Sequence, residues 1–223
     1  MPGKIKFKDL NGDGIVDAEH DRTVIGNTNP KVQGGFGLNG QWKDFDFNAN
    51  FTYMLDFDVL NATGYALSSH KRTNKFQEFS NLLSDFTAPN RWQYTREDGE
   101  HFYGNSSSKF TNVWDEYTEY NTNARLWNPG DINSNVAHSY FVEDGSFLRC
   151  NDITIGYTIP KKITGKWGMS KLRIYASVTN PFIITGYSGY DPEVDIQTSL
   201  NPGIDYNRYP RNRSYVLGVN VNF

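Results

Sequence analysis

The sequence predicts an all-β chain: five long antiparallel strands of a transmembrane β-barrel, joined by short turns at one end and long loops at the other. Three observations predict it. Apolar and polar residues alternate with period two in five stretches of about 10 to 13 residues, close to what a tilted strand needs to cross a bilayer. The last of them sets Tyr215, Leu217, Val219, Val221 and Phe223 against Ser214, Val216, Gly218, Asn220 and Asn222, and stops on the aromatic, like the terminal strand of a bacterial outer-membrane barrel. Counting back from a last strand that ends in the periplasm, the short connections all fall inside and the long ones outside, a sorting that a soluble sandwich has no reason to show.

Composition agrees with a lipid-facing barrel. The mean hydropathy of -0.64 is that of a polar protein, as expected where only alternate residues meet lipid. Aromatic content is high, with 15 Phe, 14 Tyr and 5 Trp, and the net charge of -3 with no basic patch gives no reason to expect nucleic acid. Cys150 is the sole cysteine, so an internal disulfide and a Cys/His zinc spacing are both excluded. No apolar run approaches the roughly 18 residues of a spanning helix. Met1-Pro-Gly-Lys-Ile-Lys-Phe-Lys lacks the apolar core of a signal peptide, so the sequence is expected to begin within a longer chain.

Residues 1–30 read as an outer loop carrying a calcium-like motif, Asp9-Leu-Asn11-Gly-Asp13-Gly14-Ile15-Val-Asp17-Ala-Glu19-His20-Asp21. Oxygen-bearing side chains at positions 1, 3, 5 and 9, with Gly at 6, match the loop in which carboxylates and one backbone carbonyl, here that of Ile15, wrap a hard cation. Position 12 is His20 where a carboxylate is expected, so Asp21 or Glu19 has to close the shell. The expected ligands of a structural Ca2+ are Asp9, Asn11, Asp13, Ile15, Asp17 and Asp21; the alternative is an Asn/Gly/Asp turn cluster.

Residues 31–56 predict two barrel strands. Val32, Gly34, Phe36, Leu38, Gly40 and Trp42 share one face, Lys43-Asp44 turns the chain, and Phe45, Phe47, Ala49, Phe51, Tyr53 and Leu55 continue that face. Opposite them stand Asp46, Asn48 and Asn50, expected to face the lumen. Residues 57–145 form a long outer loop in which Phe76, Phe79, Leu82, Leu83 and Phe86 recur at helical spacing over 70–87, stopped by Pro89. Beyond lie Trp92, Tyr94, Trp114, Tyr117 and Trp127 among polar residues, a composition that suits sugar rings or peptides and equally suits the packing of a large loop. Adjacent carboxylates such as Asp115 and Glu116 come without a nucleophile motif, and the four histidines show no ligand spacing, so no enzyme is expected.

Residues 146–183 predict two more strands. Ile153, Ile155, Tyr157 and Ile159 oppose Asp152, Thr154, Gly156 and Thr158; after a Pro, Lys and Gly turn, Leu172, Ile174, Ala176 and Val178 oppose Arg173, Tyr175, Ser177 and Thr179. Arg173 and Tyr175 join the expected lumenal set. Residues 184–212 are an outer loop, and 213–223 the terminal strand.

These residues carry a resemblance. Asp9-Leu-Asn-Gly-Asp-Gly leading to Asp21-Arg-Thr-Val-Ile-Gly-Asn27 and Pro30, Phe141-Val-Glu-Asp-Gly-Ser-Phe-Leu-Arg149, Thr154-Ile-Gly-Tyr-Thr-Ile-Pro160, Gly189-Tyr-Asp-Pro-Glu-Val194 and the terminal strand look like the C-terminal part of SusC/RagA-family TonB-dependent outer-membrane transporters. The motifs stand in the family's order across nearly the whole chain. The resemblance implies a 22-stranded barrel with an N-terminal plug, of which this chain supplies the last five strands. Plug and TonB box belong to an absent N-terminal part.

What the resemblance implies about function is import of glycan oligosaccharides or peptides through a barrel capped by a SusD-like lipoprotein and driven through TonB. Outer-membrane lipid and the rest of the same chain are then the remaining partners, no cofactor beyond a structural Ca2+ is expected, and Tyr215, Leu217, Val219, Val221 and Phe223 form a barrel-assembly signal. A siderophore or cobalamin receptor shares the barrel and the terminal aromatic. A secreted calcium-binding β-sandwich that holds carbohydrate is the soluble alternative.

Overall fold

A computed structural model describes residues 3–68, 82–87, 90–94, 114–129, 137–194, 202–206 and 209–223, with the backbone alone at 114–116. The chain divides into two compact units, Met1–Val24 with Thr63–Phe141 and Ile25–Ala62 with Val142–Phe223.

The second unit is built on an antiparallel sheet. Its strands are β1 (Val32–Trp42), β2 (Phe45–Leu55), β5 (Phe147–Ile159), β6 (Lys171–Thr185) and β7 (Ser214–Asn222), in the order β1-β2-β5-β6-β7. Each alternating stretch of the sequence is a strand, the fourth running on to Thr185. An 11-residue strand such as β1, rising about 3.3 Å per residue at the tilt of outer-membrane barrels, spans about 25 Å, the height of their apolar band.

Register fixes the two faces. Phe36 pairs with Phe51, Leu38 with Ala49 and Trp42 with Phe45; Phe45, Phe47 and Ala49 then pair with Tyr157, Ile155 and Ile153. Ile174 and Ala176 continue the face to Val219 and Leu217. Cross-strand rings touch along it, Phe36 to Phe51 at 4.9 Å and Phe45 to Tyr157 at 4.6 Å between centroids. Phe36, Leu38, Trp42, Phe45, Ile155, Ile174, Leu217 and Val219 are all exposed on this unit, a far larger apolar patch than a soluble domain leaves to water. Among the described residues no helix is long and apolar enough to cross a membrane.

Alternation breaks once in β5, and the break matters. A bulge between Cys150 and Asp152 inserts Asn151, so Leu148 and Cys150 lie on the apolar face together with Ile153 and Ile155. Phe147 and Arg149 thereby share the polar face with Asp152 and Thr154. Opposite the bulge, Asn180 of β6 takes a left-handed conformation, φ 51°.

One end of the sheet carries a small core. β3 (Asp58–Leu60) pairs with β4 (Val142–Asp144), and Leu60 exchanges backbone bonds of 2.9 Å with Gly203 and Asp205. Phe57, Val59, Phe147, Tyr187 and Val194 are buried together, with Met54 and Ile183 packed against them. Residues from both ends of the loop after β6 therefore join the β3–β4 pair. Tyr187 donates to Asp205 at 2.7 Å, and burial followed by that carboxylate pushes its phenol pKa up.

The first unit is held by aromatic side chains. Trp127 meets Phe86 at 5.1 Å, Tyr140 at 4.8 Å and Phe141 at 5.8 Å. His138 lies among Phe7, Tyr65, Trp127, Tyr140 and Phe141 with centroids 5.1 to 6.5 Å away. It is buried, and its Nε2 has no hydrogen-bond partner among the described residues. Burial holds its pKa below the ordinary 6.5. Above pH 6.5 folded and unfolded imidazoles are both neutral; below it the unfolded one takes a proton that the caged one resists, so this packing weakens as pH falls from 6.5. Hydrogen exchange across residues 137–141, corrected for intrinsic rate, should lose protection on acidification, and His138→Phe should remove that dependence.

Most of the helix expected over 70–87 lies outside the described residues; at its end Ser84–Phe86 form one 3-10 turn.

Candidate lumenal face and outer cleft

The polar face of the sheet gathers the five residues expected to face the lumen into two networks. In the first, Arg173 reaches across β5 to Asp46, with Nε to Oδ1 at 2.9 Å and Nη2 to Oδ2 at 2.5 Å. Gly156 sits beneath this fork: a Cβ there would lie 2.4 Å from Arg173 Nη2 and 2.5 Å from Asp46 Oδ1. The guanidinium also stands 4.9 Å from the ring of Tyr175, which in turn lies over Gly218 of β7. Two glycines thus let long side chains lie flat across four strands.

The second network is made of amides. Asn48 donates to Asn39 of β1, and Asn50 donates to Asn48 at 3.0 Å and to both oxygens of Asp152 at 3.0 and 3.1 Å. Thr52 donates to Asn151 at 3.1 Å, and Thr154 pairs with Ser177 at 2.8 Å. A face of fixed amides and hydroxyls, with Asp46 and Arg173 neutralising each other, suits a polar, hydrated lumen.

At the bulged end of this face an ion cluster stands where the sequence reading assigned no role. Arg149, 5% exposed, holds Asp191 at 2.5 Å and lies 3.4 Å from Glu193, an ion contact without hydrogen-bond geometry at its Nε. Glu193 also takes Arg211 at 2.6 Å. The signal was present in the sequence as an arginine inside an apolar Phe-Leu-Arg-Cys run and an Asp-Pro-Glu loop. What hid it is the bulge, which alone turns Arg149 toward the polar face. Beside the cluster lies an open cleft of about 870 Å³, lined by Thr52, Asn151, Asp152, Thr179, Glu193 and Arg211 among others.

The aromatic candidates occupy other ground. Tyr117 is fully buried and Trp127 is 8% exposed, both inside the first unit. Trp92 and Tyr94 pack half-buried against Tyr117, and Trp92 Nε1 donates to its hydroxyl. The side chain of Trp114 lies outside the described residues. Burial gives Tyr117 and Trp127 the second of the two roles their composition allowed, that of holding a loop together.

The calcium-like segment is folded on itself. Asp9 accepts the amides of Gly12 at 2.6 Å and Gly14 at 2.8 Å; Asp21 accepts those of Leu10 at 2.7 Å and Asp17 at 2.8 Å. Asp17 accepts from Glu19 at 2.8 Å and His20 at 2.7 Å, while Asn11 donates to Asp13 at 2.8 Å. These amide donors hold the carboxyls of Asp17 and Asp21 below the usual range. Among the described residues no three His, Cys, Asp or Glu side chains come together to hold a metal ion. The structure lends no support to a Ca2+ shell of the six expected ligands, Ile15 included: Asp21 caps amides of the loop, as in the turn cluster that is the alternative.

No protein-family model matches the chain. It is 28% identical over 228 residues to TonB-dependent receptor P3 of Formosa agariphila, spanning 100% of this chain and 19% of that protein. With TonB-dependent receptor SusC of Bacteroides thetaiotaomicron it shares 31% over 219 residues, 97% of this chain and 17% of the receptor. Among solved structures, the RagAB peptide importer in its open-open state superposes with a TM-score of 0.64 at 20% identity, covering 94% of this chain and 19% of that one. The closed-closed state gives 0.60 over 95%. The chain is thus a homologue of the SusC-type TonB-dependent receptors of the bacterial outer membrane and matches about a fifth of their length.

Proposed function

We propose that this chain forms the C-terminal wall of a SusC/RagA-type barrel that imports glycan oligosaccharides, working with a SusD-like surface lipoprotein and driven by TonB through a plug elsewhere in the same protein. The observation that carries the substrate is the polar face: Asn39, Asn48, Asn50, Thr52, Thr154 and Ser177 offer neutral donors and acceptors, and Arg173 in its middle is tied to Asp46. Polyhydroxylated chains exchange such hydrogen bonds with little loss on moving along the wall. The RagAB likeness makes a peptide the second reading, carried by the fold alone.

In this reading the apolar face meets lipid, and the free edges of β1 and β7 pair with the rest of the barrel. Tyr215, Leu217, Val219, Val221 and Phe223 act as its assembly signal. The barrel is a conduit, with no catalytic residue and no cofactor assigned to it.

The test is purification from outer membranes in detergent of the polypeptide that ends in this sequence, with its intact mass and companions identified by mass spectrometry. A mass well above 25.5 kDa with a lipoprotein companion supports the reading. A lone 25.5 kDa soluble product sinks it. Uptake of labelled oligosaccharides against labelled peptides of equal length by cells carrying the intact system then decides the cargo.

A further inference from the structure

We propose that the cleft at the bulged end of the polar face is a binding subsite for an uncharged oligosaccharide, a step that rests on the glycan reading above. Its volume, about 870 Å³, falls within the range of small-ligand sites.

Six side chains supply the chemistry. Thr52 and Thr179 offer hydroxyls, Asn151 an amide, Asp152 and Glu193 carboxylates, and Arg211 a guanidinium. The Asp152 carboxylate is aimed by Asn50 at 3.0 and 3.1 Å yet keeps acceptor capacity, since each oxygen has more than one lone pair. Glu193 and Arg211 hold each other at 2.6 Å, and Glu193 is steadied from behind by Arg149. A fixed carboxylate opposite a fixed guanidinium accepts from one hydroxyl and donates to its neighbour, the pattern that adjacent sugar hydroxyls present. Preorganisation lowers the ordering cost of binding.

Charge and topology narrow the class. Of the charged side chains that line the cleft, two are carboxylates, Asp152 and Glu193, and one is a guanidinium, Arg211, so a uronate or sulfated sugar meets net repulsion. Of the strands behind the cleft, β2, β5 and β6 are each paired on both sides, and the outer edge of β1, whose Gln33 and Gly34 also line it, is taken up by the rest of the barrel in this reading, which leaves a peptide no free edge to extend.

The experiment is calorimetric titration of the full-length transporter, with its lipoprotein, against neutral hexasaccharides of glucan, mannan, xylan and galactan, a hexagalacturonate and a hexapeptide. Two variants are compared with wild type: Arg211→Gln, on an exposed loop, and Thr179→Trp, which fills the cleft; heat-modifiable gel mobility verifies that each barrel is folded. At least one neutral hexasaccharide should bind wild type, with affinity down about tenfold in Arg211→Gln, the worth of one or two hydrogen bonds, and further in Thr179→Trp. Equal binding to wild type and both folded variants overturns the cleft and leaves glycan import standing. Tighter binding of the hexagalacturonate than of any neutral sugar overturns the uncharged class. Binding of the hexapeptide alone, or of no neutral hexasaccharide, overturns the glycan reading and the subsite with it.

Discussion

Replacing Arg149 by methionine in the full-length protein should cost about 3–5 kcal/mol of local stability, the range found when one partner of a buried ion pair is removed. The guanidinium is 5% exposed and Asp191 10%, so the loss leaves a carboxylate out of water without its partner at 2.5 Å. Arg211 takes over only in part: its Nε lies 4.0 Å from Asp191, but its side chain is 46% exposed and its Nη2 is held by Glu193 at 2.6 Å. The loop from Gly186 to Val194 should then leave the polar face, and the Tyr187 and Val194 contacts with Phe57 and Val59 should go with it. Hydrogen exchange followed by mass spectrometry reads this as lost protection in peptides covering 186–194 while β2 and β6 stay protected. Unchanged protection in that loop would show that the apolar core alone holds it. Arg149→Lys should recover only part of the loss, since an ammonium cannot reproduce the planar fork.

The strands were legible because a membrane barrel enforces period two on every residue between its turns. Phe45 through Leu55 can satisfy lipid on one side and a polar interior on the other in only one register. That same rigidity made Asp46, Asn48, Asn50, Arg173 and Tyr175 recognisable as one face, though their pairing was not: Arg173 meets Asp46 across a whole strand because Gly156 and the sheet register place them so, a relation 127 residues apart in sequence.

What escaped follows from the same logic. A bulge is one extra residue, and Asn151 looks like any other polar position until the ladder shows that parity changes there. The aromatic loop residues were ambiguous because tryptophan and tyrosine both fill cores and bind ligands, and only burial separates the two; Tyr117 at 0% exposed is on the packing side. The calcium-like motif specified its Asp, Asn and Gly positions well enough for a turn, whereas a shell needs its last carboxylate in register, and His20 stands there.

Gly145→Ala should destabilise the β3–β4 core by about 1–3 kcal/mol through overpacking. The new Cβ would lie 2.5 Å from Phe57 Cε2 and 2.7 Å from both Phe57 Cζ and Val59 Cγ2. Neither neighbour can yield: Val59 is fully buried and stiff at χ1, and Phe57 is edge-on to the buried Phe147 at 6.4 Å. The backbone cannot retreat, because the Gly145 amide donates to the Phe57 carbonyl at 2.8 Å. Gly156→Ala is the informative contrast, since its clashes are with the ends of the flexible Arg173 and Asp46 side chains, so it should break one fork and spare the fold. Gly165→Ala is the control; its φ of -62° is helical and no atom lies within 4 Å of the added methyl, so stability should hold or rise slightly. Exchange protection of residues 57–60 and 142–145 ranks the three variants. If Gly145→Ala keeps wild-type protection there, the core is looser than these contacts require, and the loop it anchors through Tyr187 and Val194 is held by the Arg149 cluster alone.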